Sequence, residues 1–264
     1  MPGFWKLLNG RWGSGDGETD EVRIDASTNS IQTIEYEHHE IHSNSHYFME
    51  DFTTLGSAVV LDFGFTTANN AHWSHLVFAY ESTLKLQVDI YELADFDMDG
   101  TVAPQRGNNR AKCFSGKHTP AGSSATVLTD SAAAFTVDAL IDWKIHNITD
   151  ASYGVITDND ATTVTVAELT GGTDNDWDQN DFYEINQSLS IIQSGPTIND
   201  VGLRIGGSNG GSGTKAKEGQ TGGSTRNKEL VLRQDTNYLF RFTSGAADND
   251  FSYSAEWYEH ADKH

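Results

Sequence analysis

Cys113 is the chain's single cysteine, so neither an internal disulfide nor a cysteine-built zinc site can form. Basic residues are scarce: 17 Lys and Arg stand against 38 Asp and Glu in 264 residues, a formal charge of −21. Such a surface repels phosphate backbones, so no nucleic-acid partner is expected. No apolar run approaches a membrane span, so no membrane partner is expected either. The opening stretch, Met1-Pro2-Gly3-Phe4-Trp5-Lys6-Leu7-Leu8, has too short an apolar run for a signal peptide. Maturation without secretion or disulfide formation is the expectation. No long segment shows a helical period.

What is present is period-two alternation. Val59, Leu61, Phe63 and Phe65 alternate with Val60, Asp62 and Gly64. Leu84, Leu86, Val88 and Ile90 alternate with Lys85, Gln87 and Asp89. Tyr238, Phe240 and Phe242 alternate with Leu239, Arg241 and Thr243, and Phe251, Tyr253, Ala255 and Trp257 with Ser252, Ser254, Glu256 and Tyr258. Each run can bury one face and wet the other, as antiparallel sheets do. Gly, Asn, Asp and Ser fill the turns between them. The pattern predicts an all-β chain, an antiparallel β-sandwich or jelly roll.

The expected organisation is an N-terminal arm over 1–20, a main sandwich over 21–118 and 188–264, and a small inserted β subdomain over 119–187. Short strand candidates inside the insert fall at 125–128, 143–148, 154–156 and 162–166. Alternatively, these strands continue the main sheet. Residues 206–224 are a Gly/Ser-rich excursion between two strands. In the arm, Phe4, Trp5, Leu7, Leu8 and Trp12 are too few for a core element and too apolar for a free tail. Docking on another subunit is one reading, and packing on their own domain is the other.

Several constellations could carry chemistry. His38, His42 and His46 are spaced by four, so a helix would place them on one face. On a strand, His38, Glu40 and His42 would share a face instead. Either way they are a candidate intersubunit polar or metal cluster. His39-Glu40-Ile41-His42 is one residue too short for the zinc-protease pattern. Asp95, Asp97 and Asp99 ahead of Gly100 match the first half of a calcium loop and form a candidate cation site. The closing position holds Arg106 rather than Glu, which favours a solvated acidic turn. Asp174, Asp176, Asp178 and Asp181 make a second acidic loop with the same claim. Gly206-Gly207-Ser208-Asn209-Gly210 spells a nucleophile-elbow pattern without the following helix, and reads as chance. No carboxylate pair stands out for glycoside hydrolysis, so no catalytic residue is assigned and an enzyme is not expected. No cofactor is expected beyond a structural divalent cation. Trp143 and Trp177 are the candidate outward recognition surface, since rings on a rigid β scaffold stack on ligands.

One stretch reads Ile34-Glu35-Tyr36-Glu37-His38-His39-Glu40-Ile41-His42-Ser43-Asn44-Ser45-His46-Tyr47-Phe48. It resembles virion proteins of tailed bacteriophages. The resemblance continues in Asn108-Asn109-Arg110, in the run from Lys228 to Arg241, and in Trp257-Tyr258-Glu259-His260. It covers roughly 20–118 and 188–264, and the segment from Ala125 to Ile185 looks like a module of other phage-type proteins. The resemblance implies a virion structural protein, most simply a capsid decoration subunit on the outer shell. Its implied partners are the major capsid protein and its own copies as a homotrimer. A fibre module binding host glycan or protein is the alternative.

Overall fold

The computed structural model of the protein describes residues 12–13, 19–20, 41–68, 72–103, 105–172, 174–210, 220–223 and 229–261. The chain divides into two compact units, 1–40 and 41–264. In the first, β1 (Trp12–Gly13) pairs antiparallel with β2 (Thr19–Asp20), placing Trp12 opposite Asp20. Phe4, Trp5, Leu7 and Leu8 lie outside the described residues, as does the side chain of Trp12.

The second unit opens with β3 (His46–Leu55), β4 (Val60–Thr66), β5 (His72–Ser82), β6 (Leu86–Glu92), β7 (Asp95–Phe96), β8 (Thr101–Val102) and β9 (Arg106–Gly107). It continues with β10 (Phe114–Lys117), β11 (Val127–Thr129), β12 (Lys144–Asn147), β13 (Ser152–Asn159), β14 (Thr163–Val166) and β15 (Phe182–Asn186). It closes with β16 (Ile191–Ser194), β17 (Ile198–Asp200), β18 (Leu203–Gly210), β19 (Gln220–Gly223), β20 (Leu230–Leu232), β21 (Asn237–Ser244) and β22 (Asn249–Ala261). Asp138, Asp142, Asn180, Asp235 and Asp248 take positive φ at turns, a conformation their short polar side chains tolerate.

The protein is an all-β sandwich. One sheet runs β18-β6-β21-β4-β16-β8 and the other β19-β5-β22-β3-β9, with β20 also on β5. All the pairings are antiparallel. Inward side chains of the two sheets meet ring against ring: Phe78 on Phe240 at 4.7 Å, Phe63 on Tyr253 at 5.0 Å and Phe65 on Trp257 at 5.6 Å. This aromatic core is the inward half of the alternating pattern. The outward half is not uniformly wet. Leu239 is fully buried, because Phe96 and Ala94, with Ile198 and Val201 beside them, cover that face. Phe96 lies so close to Gly64 that an added Cβ would come within 2.8 Å of its ring.

Residues 114–186 form a separate sheet, β10-β15-β12-β13-β14-β11. It begins at Phe114, five positions ahead of the expected 119. Its two edges meet: Thr119 N donates to Thr129 O at 2.8 Å, and Thr129 N donates to His118 Nδ1 at 3.1 Å. The sheet therefore curls toward a closed barrel. Its interior is a second apolar core that includes Leu128, Phe135, Ile145, Ile156, Val164 and Ile185.

The seam between this sheet and the sandwich is polar. Arg110 Nη1 meets Glu184 Oε1 at 2.6 Å, and Asn186 Nδ2 donates to Gln105 O at 2.6 Å. Lys144 Nζ donates to the carbonyls of Leu189 and Ser190 at 2.8 and 2.9 Å. Burial pulls the Lys144 ammonium down to about 8, with Glu259 opposing. The unfolded chain therefore holds a proton that the folded chain lacks between about pH 8 and 10.5. Stability should rise with pH through that window, and Lys144→Met should remove the rise in urea midpoints measured at pH 7.5 and about 9.5. An equal rise in the variant would refute the assignment.

Candidate functional site

The sequence offers His38, His42 and His46 as an intersubunit cluster, and the structure places two of them. His38 lies outside the described residues. His42 is exposed on a single helical turn, and its carbonyl accepts from Lys112 Nζ at 2.8 Å. His46 starts β3, is 1% exposed, and its Nδ1 lies 2.8 Å from Asn108 Nδ2. A spacing of four aligns side chains only on a continuing helix, and the chain turns into a strand at His46. His42 and His46 join no group with metal-ligand spacing among the described residues of the chain, and the expected cluster also involves His38 and other subunits.

A different set of rings assembles on the sheet. Antiparallel register sets Tyr258 opposite His46 on one side and His75 on the other. His75 and Tyr258 stack at 4.5 Å, and Glu229 Oε1 accepts the Tyr258 hydroxyl at 2.8 Å while lying 2.8 Å from His75 Nδ1. His260 Nε2 lies 3.0 Å from His75 Nε2. The two histidine-bearing ends of the sequence do meet here, as a stacked, hydrogen-bonded ladder. His75 and Glu229 were not anticipated, because only strand pairing brings them in.

The Asp95 loop holds its carboxylates for the neighbouring strand. Asp99 accepts from Thr197 N at 2.8 Å and Thr197 Oγ1 at 2.6 Å, which lowers its pKa. Asp97 Oδ1 accepts from Asn199 Nδ2 at 3.1 Å, and Asp95 pairs with Asp200 in the β17–β7 ribbon. These residues clip a ribbon to the sheet, and the candidate cation site is not assembled: the three carboxylates do not converge.

Trp177 is corrected outright. It is 0% exposed, packed in the barrel core beside His118. Trp143 is partly buried against the same core, next to Phe114. Two indoles among aspartates looked like a surface, but barrel closure turns Trp177 inward. The Gly206–Gly210 pattern lies along β18, with the Ser208 hydroxyl hydrogen-bonded to Tyr80. It makes no elbow.

The second acidic loop does converge. Asp174, Asp176 and Asp178 each present an oxygen within 4.8 Å of the others. Asn147, at the end of β12, ties the loop to the β12–β13 hairpin. Its Nδ2 donates to Asp150 Oδ2 at 2.9 Å, Asp176 O at 3.0 Å and Asp181 Oδ2 at 2.9 Å. Burial, then the charges of Asp181 and Asp174, push the Asp150 carboxyl up to about 6. Asp176 is raised as well, by desolvation and then by Asp174 and Asp178. The sequence flagged the loop but not Asn147 or Asp150, which arrive from a hairpin some 30 residues earlier.

On the sandwich, Phe52 is 83% exposed. It stands on the outer face of β3, among Glu50, Asp51, Glu81, Ser252 and Ser254 along a shallow groove. β9 covers β3 only at Tyr47 and Phe48, so among the described residues Met49 to Leu55 have no strand on their free side. The Phe52 N–H is taken by Asp51 Oδ1 at 2.7 Å. An apolar residue between Glu50 and Thr54 on an otherwise polar face was the overlooked signal. The sequence matches no protein-family model and no curated protein.

Proposed function

We propose that this chain is a structural subunit of a tailed-bacteriophage virion, a decoration subunit that binds the outer surface of the major-capsid-protein shell as a homotrimer and stabilises it. The observation that carries the reading is the exposed Phe52 on the open side of β3, ringed by Glu50, Asp51 and Glu81. A large apolar ring at the centre of an acidic rim is what a binding face needs, with a basic, partly apolar surface as its complement. Among the described residues no strand pairs the outer side of β3 from Met49 to Leu55, which leaves backbone on that edge for docking. Energy comes from surface burial repeated over many copies, so modest affinity per subunit holds a shell closed. The finer assignment within the sandwich class, a jelly roll, belongs to the same proposal.

Copy number and position in purified particles test it, by quantitative mass analysis with cryo-electron imaging. Abundance near that of the major capsid protein, with density on the outer shell, is the expected result. A few copies at the tail or a vertex would replace it with the fibre reading. At the residue level, Phe52→Asp should weaken shell binding about 30-fold in co-sedimentation, the loss of a typical aromatic anchor. Stability should change by less than about 0.5 kcal/mol, because the ring is solvated in the free protein. Undiminished binding would remove Phe52 from the interface.

A further inference from the structure

We propose that the inserted barrel holds a divalent cation of the calcium type, bound by Asp174, Asp176 and Asp178 with Asp150 and Asp181 beside them. The proposal does not rest on the capsid reading. Asp174 and Asp178 are exposed and Asp176 is partly buried between them, and three carboxylate oxygens within 4.8 Å of one another repel, a repulsion that a cation between them would relieve. Asn147 meets the Asp150 and Asp181 carboxylates and Ser123 meets that of Asp176, and neutral donors such as these do not offset several charges.

Two further observations point to a missing electropositive partner. Asp176 Oδ1 is buried and accepts no hydrogen bond. A buried anionic oxygen without a protein donor is costly, and a cation would relieve that cost. Ser152 is 1% exposed, and its hydroxyl has no partner. It faces the same loop: it stands directly opposite Asn147 in the β12–β13 ladder, and opposite residues share a sheet face. Its Cβ would also lie 2.8 Å from a Cβ added at Gly172, where the Asp150 and Asp174 carbonyls crowd in at 2.6 and 2.8 Å. Gly172 lets the loop fold down over Ser152.

The chemistry of the donors selects the ion. Every candidate ligand is a hard oxygen, and no His or Cys belongs to the group. That disfavours zinc, which takes nitrogen and sulfur. Carboxylates at alternate positions in a loop, with further oxygens from a hairpin, suit calcium's larger and more flexible coordination better than magnesium's strict octahedron.

The test uses the full chain, stripped with chelator and titrated with calcium chloride by calorimetry and thermal melting. Expected is saturable binding near one ion per chain, with Tm rising with the logarithm of calcium. Magnesium should bind at least about tenfold more weakly. Asp176→Asn and Asp178→Asn should each weaken calcium binding at least about tenfold. Because each also relieves repulsion, neither should lower the Tm of the metal-free protein, which separates a lost ligand from a damaged fold. The triple variant Asp95→Asn, Asp97→Asn, Asp99→Asn should bind calcium like the parent. Absence of heat and of any Tm change at about 10 mM calcium, an ion level adequate for weak loop sites, would overturn the proposal. So would calcium binding that survives in Asp174→Asn, Asp176→Asn, Asp178→Asn.

Discussion

Glu259→Ala is expected to destabilise the protein by about 3–5 kcal/mol, the loss seen when one member of a buried charged network is removed. The residue is 5% exposed on β22. Its carboxylate accepts from Leu189 N at 2.7 Å, Ser190 N at 2.9 Å, Trp257 Nε1 at 3.1 Å and Ser188 Oγ at 3.4 Å. Alanine would orphan these donors inside the seam. It would also remove the negative charge that offsets the buried Lys144 ammonium, whose own bonds go to the carbonyls of the same two residues. Carboxylate and ammonium thus bind the N–H and C=O sides of a single backbone segment, the one that leads from β15 back to β16. Glu259→Gln keeps the volume and one acceptor oxygen, so it should lose less, about 2 kcal/mol. Urea unfolding followed by both tryptophan fluorescence and far-ultraviolet circular dichroism measures this. A change below about 1 kcal/mol for the alanine variant would mean that water replaces the carboxylate.

His146 makes the fold acid-sensitive. It lies on β12, is 2% exposed, and stacks on Tyr153 at 6.1 Å. Burial first, and the Lys144 charge second, pull its pKa from 6.5 to about 3. The unfolded chain therefore binds a proton that the folded chain refuses. This group's contribution is complete above pH 6.5 and is lost as pH falls toward 3. At about 1.4 kcal/mol per unit, the loss is about 2 kcal/mol by pH 5. Asp150 works in the other direction. Its raised pKa lets the folded chain take up a proton first, so it gains stability as pH falls through about 6. Comparing the parent with His146→Gln at pH 7 and pH 5 isolates the histidine, since Asp150 is common to both. The parent should lose about 2 kcal/mol more than the variant. Parallel losses would place the acid sensitivity elsewhere.

Much of the architecture could be read from alternation alone. Phe63, Phe65, Phe240, Phe242, Phe251, Tyr253 and Trp257 follow period two and are buried. Where the reading failed, a contact distant in sequence had intervened. Leu239 sits at an outward position and is buried, because the Phe96 ribbon folds over it. Trp177 lies between Asp176 and Asp178, and a local reading puts it outside. The loop carries Asp174 and Asp178 outward, while the indole turns into a barrel that closes only when Thr119 meets Thr129. The helical alternative for the histidines stops at His46, which begins a strand.

The candidate sites divide in the same way. The Asp174–Asp181 loop was visible because its ligands are neighbours in sequence. Asn147, Asp150 and Ser152, which face that loop, were not. They come from a separate hairpin, and no local pattern links it to the loop. The reverse held for Asp95, Asp97 and Asp99, whose spacing suggested a cation. Thr197 and Asn199, about a hundred residues further on, take up those carboxylates instead.

The sequence by itself determined the all-β class, the inward residues of the long strands, the acidic surface and the lack of a disulfide. These depend on composition and on side-chain period, which every strand expresses locally. Only the tertiary structure decided which acidic loop gathers its charges, that Trp177 turns into a core, and where Phe52 stands exposed. It also decided that a buried lysine and a buried glutamate meet the same backbone segment at the seam. Each of these depends on register and closure between segments far apart in the chain, and strand pairing is a non-local property.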